Sequence, residues 1–400
     1  MEAIYYLWIA IQLIIGYNLF LPIVLYLFWK ARSASTNNDD ATQQFDYAVI
    51  VTAYEQVDSL ADVVNSILKA NYSNYLVYIV ADKCDVSTLM FTDERIIVLK
   101  PEQVLASNTK SHRYAMDRFI REHDLVTIID SDNLLHADYF AELNVQFGDG
   151  FNAVQGLRKA KNLDTTISAL DAARDVYYHF YDGKILFQIG SSATLSGSGM
   201  AFRIELYRQF LEQNSVSGAG FDKVLQAWIV RQKHRIAFTD LAIVYDQKTS
   251  RPDQLVNQRA RWINTWFKYF LLGFNLIFKG IANLDRNQLL FGLILIRPPL
   301  FMFILTSGFL LILSMFISFS WSLFWLLGFV AFVSGFYLAL LSEKADKRIY
   351  HSLTSIPRFV FLQLISLSKS RNANKRSVAT KHAKITAIED LAIKSHEDQS

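Results

Sequence analysis

Apolar residues are distributed along this chain in runs of distinct length and period. The longest are unbroken: no charged residue falls between Ala3 and Trp29, between Pro298 and Ile317, or between Trp321 and Leu341. About 20 apolar residues suffice for a helix to cross a bilayer, so each run predicts a spanning helix. Only Ser318, Phe319 and Ser320 separate the last two, which predicts a tight hairpin over 298–342. A cleaved leader is the rival reading of the first run. It fits poorly, because the run is long, opens on Glu2 rather than a basic residue and has no small-residue cleavage pattern. Residues 1–30 are therefore expected to be an anchor.

Between these runs the pattern shortens. Tyr47–Thr52, Leu76–Ala81, Arg95–Leu99 and Leu125–Ile129 are brief stretches dominated by Val, Ile, Leu and Tyr, as in strands buried on both faces. Val57–Ala70 and Arg113–Arg121 carry apolar residues at helical spacing instead. Strands alternating with helices predict a parallel α/β sheet over 46–253, with its functional residues beyond the C-terminal strand ends. Ser33 to Gln44 is polar and reads as a linker spanning 31–45. From Gln254 aromatic residues (Trp262, Trp266, Phe267, Tyr269, Phe270, Phe274, Phe278) interleave with Arg259, Arg261, Lys268 and Lys279. That mixture over 254–297 suits helices lying in a membrane interface, aromatic side down, or else a packed core helix. Arg297-Pro298-Pro299 marks the turn into the bilayer, since Pro is tolerated at a helix start. In the tail, 343–400, the apolar stretch Leu353–Leu367 contains Pro357 and Arg358 and reads as interfacial rather than as a fourth span.

Composition narrows the classes. Hydrophobic residues make up 52% of the 400 and aromatics 14%, while a net charge of +3 is too small for a nucleic-acid binder. The basic residues bunch beside the spans: Lys30 and Arg32 after the first, Lys344, Lys347 and Arg348 after the third. By the positive-inside rule, residues 30–297 and the tail face the cytoplasm. One cysteine, Cys84, excludes an internal disulfide, suits a reducing compartment and reads as a small loop residue. The eight histidines show no metal-ligand spacing. Three spans are few for a channel or transporter, and only Arg297 places charge at the edge of one.

Four short motifs carry candidate chemistry. Asp130-Ser131-Asp132 follows a hydrophobic strand, and two such carboxylates can hold Mg²⁺ or Mn²⁺ against phosphate oxygens. Asp-x-Asp alone is also common in turns and helix caps. Asp82, ending the second strand, could accept hydrogen bonds from a ribose or base, or simply close a turn. Asp222, in Gly220-Phe221-Asp222-Lys223, opens a helical pattern and is either an N-cap or a general base. Gln258-Arg259-Ala260-Arg261-Trp262 offers an Arg fork for phosphate and a flat indole for a sugar or acceptor. It is the most specific of the four. Gly197-Ser198-Gly199 could let backbone approach a ligand, and Lys110 lies between two strands where it could touch phosphate.

In order, these elements resemble glycosyltransferase family 2, inverting enzymes of the GT-A (nucleotide-diphospho-sugar transferase) fold. The nearest branch is the membrane-integrated one that includes cellulose, hyaluronan and poly-N-acetylglucosamine synthases and ceramide glucosyltransferase. The resemblance runs over about residues 46–300. Val51-Thr52-Ala53-Tyr54-Glu55-Gln56 is similar to the family's first strand and nucleotide loop, implying donor contacts at Thr52, Tyr54 and Gln56. Val80–Asp85 resembles its second acidic motif, with Asp82 as a donor contact, and Lys110 matches the lysine ahead of the DxD strand. Asp130 and Asp132 match the DxD, implying a divalent metal (Mg²⁺ or Mn²⁺) and, for Asp130, a further donor contact. Ala153-Val154-Gln155-Gly156 and Gly197–Arg203 match later core segments. Asp222 falls at the catalytic base, and Gln258, Arg261 and Trp262 match the QxxRW signature that closes over diphosphate and acceptor.

The resemblance thus implies an α/β GT-A cytosolic domain plus transmembrane and interfacial helices. It implies an inverting transfer from a nucleotide-sugar donor to a saccharide or lipid acceptor, at a bilayer and with no nucleic acid, in polysaccharide or glycolipid synthesis at a bacterial inner membrane. Two departures bear on substrate choice: Phe221 stands where an acidic residue usually precedes the base, and Glu55-Gln56 replaces an Asn-Glu pair. The alternative is a catalytically inactive, nucleotide-binding membrane scaffold.

Overall fold

The computed structural model describes residues 2–32, 43–87, 89–216, 218–371 and 373. Most of the expected linker and of the tail beyond 371 lies outside the described residues. The chain opens with α1 (Glu2–Ala31). Then come β1 (Tyr47–Tyr54), α2 (Leu60–Leu68), β2 (Tyr75–Asp82), β3 (Ile96–Leu99), α3 (Asn108–Met116), β4 (Leu125–Asp130), β5 (Leu134–Leu135), α4 (Tyr139–Gly148) and β6 (Ala153–Ala160). Helix α5 (Thr166–Tyr178) runs into a π-helical segment (His179–Ile185) and the short α6 (Leu186–Gln188), followed by β7 (Met200–Arg203), α7 (Ile204–Gln213), α8 (Phe221–Arg231) and β8 (Ile236–Asp246). The remainder is helical: α9 (Pro252–Tyr269), α10 (Leu271–Ala282), α11 (Arg286–Ile296), α12 (Leu300–Ile317), α13 (Phe319–Ser342), α14 (Lys347–Ser352) and α15 (Ile356–Lys369).

The eight strands form one sheet in the order β3-β2-β1-β4-β7-β6-β8-β5. The four expected strands are its parallel half. The other half is mixed: β7 is antiparallel to both β4 and β6, β6 and β8 are parallel, and β5 is antiparallel to β8. The expectation of a wholly parallel sheet is corrected there. Side chains alternate across each strand. Tyr47, Val49 and Val51 pack with α2 and α4 in one core, and Ala48 and Ile50 face the other. That second core continues without a break into the long helices, taking in Leu19, Phe303, Trp325 and Phe332.

The helix expected at 113–121 spans 108–116 instead. The chain leaves the helix at Asp117, where Phe119 packs at a tilt against the Tyr78 ring and the Ile120 N–H donates to the Tyr78 hydroxyl (3.1 Å). Helices α1, α12 and α13 are each long and apolar enough to cross a membrane. Ser318 alone separates α12 from α13, so the hairpin is tighter than expected. The α/β domain is fastened to this bundle by polar bonds. Tyr181 donates to the Gly335 carbonyl (2.7 Å) and Arg32 to that of Ile189 (2.9 Å), while Tyr17 of α1 donates to that of Leu293 in α11 (3.0 Å). Helix α10 presents Leu271, Phe274, Phe278 and Ile281 outward as one exposed stripe. Helix α15 packs along α9.

Candidate active site

Strand register brings the first group of residues together. Across β1 and β2, Tyr54 stands opposite Asp82; across β1 and β4, Thr52 stands opposite Asp130. Residues from three separate segments thus share the C-terminal edge of three parallel strands. Asp82 is 2% exposed, and its two carboxylate oxygens accept the backbone N–H groups of Leu105 (3.0 Å) and Ala106 (2.7 Å). It pins the loop ahead of α3. Cys84 is buried in the turn that follows, its thiol directed to the Asp82 carbonyl (3.3 Å), and burial pushes that thiol up. Glu55 pairs with Lys83 (2.7 Å) beside Tyr54.

A second group lines a cavity of about 1110 Å³: Asp130, Asp132, Asp222, Gln258, Arg261 and Trp262. Thr52, Tyr54, Gln56, Asp82 and Lys110 are not among its lining residues; Lys110 lies exposed on α3, although Asn108 of the same helix reaches the cavity. Asp222 sits in the first turn of α8. The cap position belongs to Gly220, held in the left-handed region at φ +96°, and no side chain caps the helix. The capping role considered for Asp222 is therefore taken by its neighbour, leaving its carboxylate beside Lys223 (3.7 Å) at the cavity wall. Phe221 is 5% exposed, its ring edge-on to His112, so the residue preceding Asp222 belongs to the core.

The electrostatics centre on Asp130. Burial, reinforced by Asp132, Asp246 and Asp222 and opposed by Arg158, pushes its carboxyl up to about 7. Repelling carboxylates at one point are relieved by a divalent cation. Mg²⁺ and Mn²⁺ suit a site of one or two carboxylates completed by phosphates. Among the described residues no three His, Cys, Asp or Glu side chains gather to hold a metal alone. Asp130 and Asp132 therefore fit a metal that shares its shell with a ligand's phosphates.

Behind the carboxylates runs a buried relay of charge that sequence reasoning missed. Asp246 accepts from Arg158 and Lys248, both at 2.6 Å, and from Asn133 (3.3 Å). Burial alone would raise its carboxyl, but Arg158 and Lys248 hold it well below the usual range. Lys248 also pairs with Asp175, Asp175 with Arg174, Arg174 with Asp171 (3.3 Å) and Asp171 with Arg259 of α9. The available signal was charge inside otherwise strand-like or helical runs, at Arg158 and Asp171–Asp175. The Trp262 indole is flanked by Arg259 (4.0 Å) and Arg174 (4.6 Å), so much of its π-surface is already stacked. Gln258 Oε1 is buried without a hydrogen-bond partner among the described residues. Burial lowers the Arg261 guanidinium.

Two of the flagged glycines have a structural use. A Cβ on Gly199 would come 2.1 Å from Val244 Cγ2, whereas Gly197, at φ +90°, has open space around it at the cavity wall.

A family model described as glycosyltransferase-like family 2 matches residues 44–265. No curated protein matches the chain significantly. Among solved structures, a mannosyltransferase, PcManGT of Pyrobaculum calidifontis, in complex with GDP-Man and Mn²⁺, aligns with a TM-score of 0.57 at 14% identity, over 91% of this chain and 98% of that one. At that identity the likeness shows the fold, here a GT-A one. TarS of S. aureus in complex with UDP-GlcNAc aligns at 14% identity over 82% of this chain and 90% of the other, but its TM-score of 0.40 carries no argument.

Proposed function

The chain belongs to glycosyltransferase family 2, and from that premise we propose that it inverts a sugar as it moves it from a nucleotide-sugar donor to an acceptor hydroxyl. The observation that carries this reading is the single cavity shared by Asp130, Asp132, Asp222, Gln258 and Arg261. The relative bound to GDP-Man and Mn²⁺ supports a nucleotide-sugar donor and a divalent metal.

In this reading the donor's base and ribose lie over the strand edge at Thr52, Tyr54 and Gln56, with Lys110 at the flank, and Asp82, whose carboxylate is taken up by Leu105 and Ala106, acts through the loop it holds. Asp130 and Asp132 would hold Mg²⁺ or Mn²⁺, which supplies positive charge to offset the leaving diphosphate. Arg261 adds a fork of N–H donors to the same phosphates, Gln258 Oε1 accepts a hydrogen bond from a hydroxyl, and Trp262 walls the acceptor side. The Asp222 carboxylate takes the acceptor's hydroxyl proton. The freed oxygen bonds to the anomeric carbon from the face opposite the diphosphate, and the carbon–oxygen bond to the diphosphate breaks. Products are an inverted glycoside and a nucleoside diphosphate.

The flanking helices give this chemistry its setting. Residues 1–30 and 298–342 serve as anchors in a bacterial inner membrane, with the domain over 46–253 and the tail in the cytoplasm. Residues 254–297 lie at the interface, a placement supported by the exposed apolar stripe of α10. The product class is a surface polysaccharide or a glycolipid. Nucleoside diphosphate release by the full chain tests the reading. Asp222→Asn and Asp132→Ala should each lower turnover by about 10²-fold or more. Wild-type turnover in both would remove Asp222 and the metal pair from the mechanism.

A further inference from the structure

We propose that the acceptor is a lipid, its hydrocarbon chain held between α12, α13 and α15 and its polar head bringing the attacking hydroxyl to Asp222. This rests on the cavity being the site of sugar transfer and narrows its substrate. The cavity does not stop at the charged residues. Its far wall is made by Ile304 of α12, Phe332 and Phe336 of α13, and Phe359 and Val360 of α15. These five side chains offer the hydroxyls of a sugar chain no hydrogen bond, with the polar side chains of Tyr337, Thr354 and Gln363 nearby in the lining, whereas a hydrocarbon chain loses nothing against them.

The same wall reaches the outside of the molecule. Val333, Tyr337 and Ile356 line the cavity and are also 49%, 44% and 43% exposed. Because α13 is long and apolar enough to span a membrane, this exposed flank is the one that meets lipid tails. At about 1.5 Å per residue, Val333 stands roughly 14 Å from the helix end at Ser342. That depth is inside one leaflet of a hydrocarbon core about 30 Å thick. The opening therefore faces the bilayer sideways.

A polar foothold sits where α12 begins. Arg297 is only 3% exposed in its side chain and pairs with Asp182. Its second terminal nitrogen, Nη1, has no hydrogen-bond partner among the described residues, and the residue lines the cavity. A head-group oxygen would satisfy it. The volume, about 1110 Å³, also exceeds the ~300–1,000 Å³ of sites for one small ligand, leaving room for an acceptor beside the donor's sugar and diphosphate. On transfer the lipid hydroxyl gives its proton to Asp222 and bonds to the anomeric carbon as the diphosphate leaves. The glycolipid then departs by the side opening.

The test uses the full chain in detergent with radiolabelled nucleotide sugars and Mn²⁺, offering diacylglycerol, a polyprenol and soluble oligosaccharides in parallel. Label is then partitioned between butanol and water. Butanol-soluble label with either lipid supports the proposal, and which lipid accepts separates a glycerolipid from an isoprenoid source. Val333→Trp and Ile356→Trp, which narrow the opening, should raise KM for that lipid about tenfold and leave KM for the nucleotide sugar unmoved. Label entering only the soluble oligosaccharides overturns the lipid acceptor, and a wild-type lipid KM in both variants overturns its seat between α12, α13 and α15, while sugar transfer still stands in either case. Diphosphate released from no donor in any arm removes the transfer reading and this inference together.

Discussion

Arg259 of α9 donates to the carboxylate of Asp171 in α5, and each side chain is only 4% exposed. Burial holds the Arg259 guanidinium down to about 10. This contact joins the helix bearing Gln258, Arg261 and Trp262 to the relay behind Asp130. Removing one partner strands a charge in the interior, so Asp171→Ala should destabilise the protein by about 3–5 kcal/mol. The double substitution Asp171→Leu, Arg259→Met should recover most of that loss. Thermal unfolding in detergent reads both, and a single variant as stable as wild type would show the pair holds nothing together.

Gly220 sets the spacing of α8 and α9. A Cβ there would lie 2.4 Å from Thr265 Cγ2 and 2.8 Å from the Tyr269 ring, in a backbone conformation at φ +96° that L side chains rarely adopt. Gly220→Ala is expected to cost about 1–3 kcal/mol and to move Asp222 relative to Gln258 and Arg261. Because misplacement of about 1 Å can cost ~10²-fold in rate, turnover should fall further than the melting temperature suggests. Steady-state kinetics beside a melting curve distinguishes the two effects.

Stability should depend on pH through His112. Burial pushes its imidazole down to about 3, with Nδ1 2.6 Å from the Tyr207 hydroxyl. In the unfolded chain the group titrates near ~6.5. Between those values the unfolded state carries a proton that the native state refuses, so stability falls as pH drops below about 6.5, by up to ~1.4 kcal/mol per pH unit. His179, pushed down to about 4 chiefly by burial, adds to the slope. Denaturant unfolding at pH 6 and pH 5 should show a slope shallower by about one proton in His112→Gln. An unchanged slope would mean that His112 is protonated in the native protein.

Chelation tests the carboxylate pair. EDTA should stop nucleoside diphosphate release and added Mn²⁺ should restore it. In Asp132→Asn, with one charged ligand fewer, the Mn²⁺ needed for half-maximal rate should rise by about tenfold or more. Turnover indifferent to EDTA would exclude the metal.

The parallel half of the sheet was legible because β1, β2 and β4 are almost wholly buried, which leaves unbroken apolar runs in the chain. The other half was not. Strands β5 and β7 have two and four residues. Strand β6 carries the exposed Lys159 and also Arg158, whose partner Asp246 comes from β8, and its pairing with β8 shifts register at Gly156/Leu157. At the site, motif reading singled out Asp130, Asp132, Asp222, Gln258, Arg261 and Trp262, which line one cavity. They could not give the relay through Asp246, Lys248, Asp175 and Asp171, since each of those charges is ordinary until its partner is known. Nor could they reveal that the Trp262 ring is flanked by arginines or that Asp82 pins a loop.

One core runs from the underside of the sheet into the hairpin, with Tyr177 stacked on Phe336 and Tyr181 bonded to the Gly335 carbonyl. Cutting the chain before Pro298 would strip cover from those tyrosines and expose apolar surface to water. The α/β domain and the hairpin accordingly share one folding unit, and a chain cut before Pro298 is expected to aggregate rather than serve as a smaller catalyst.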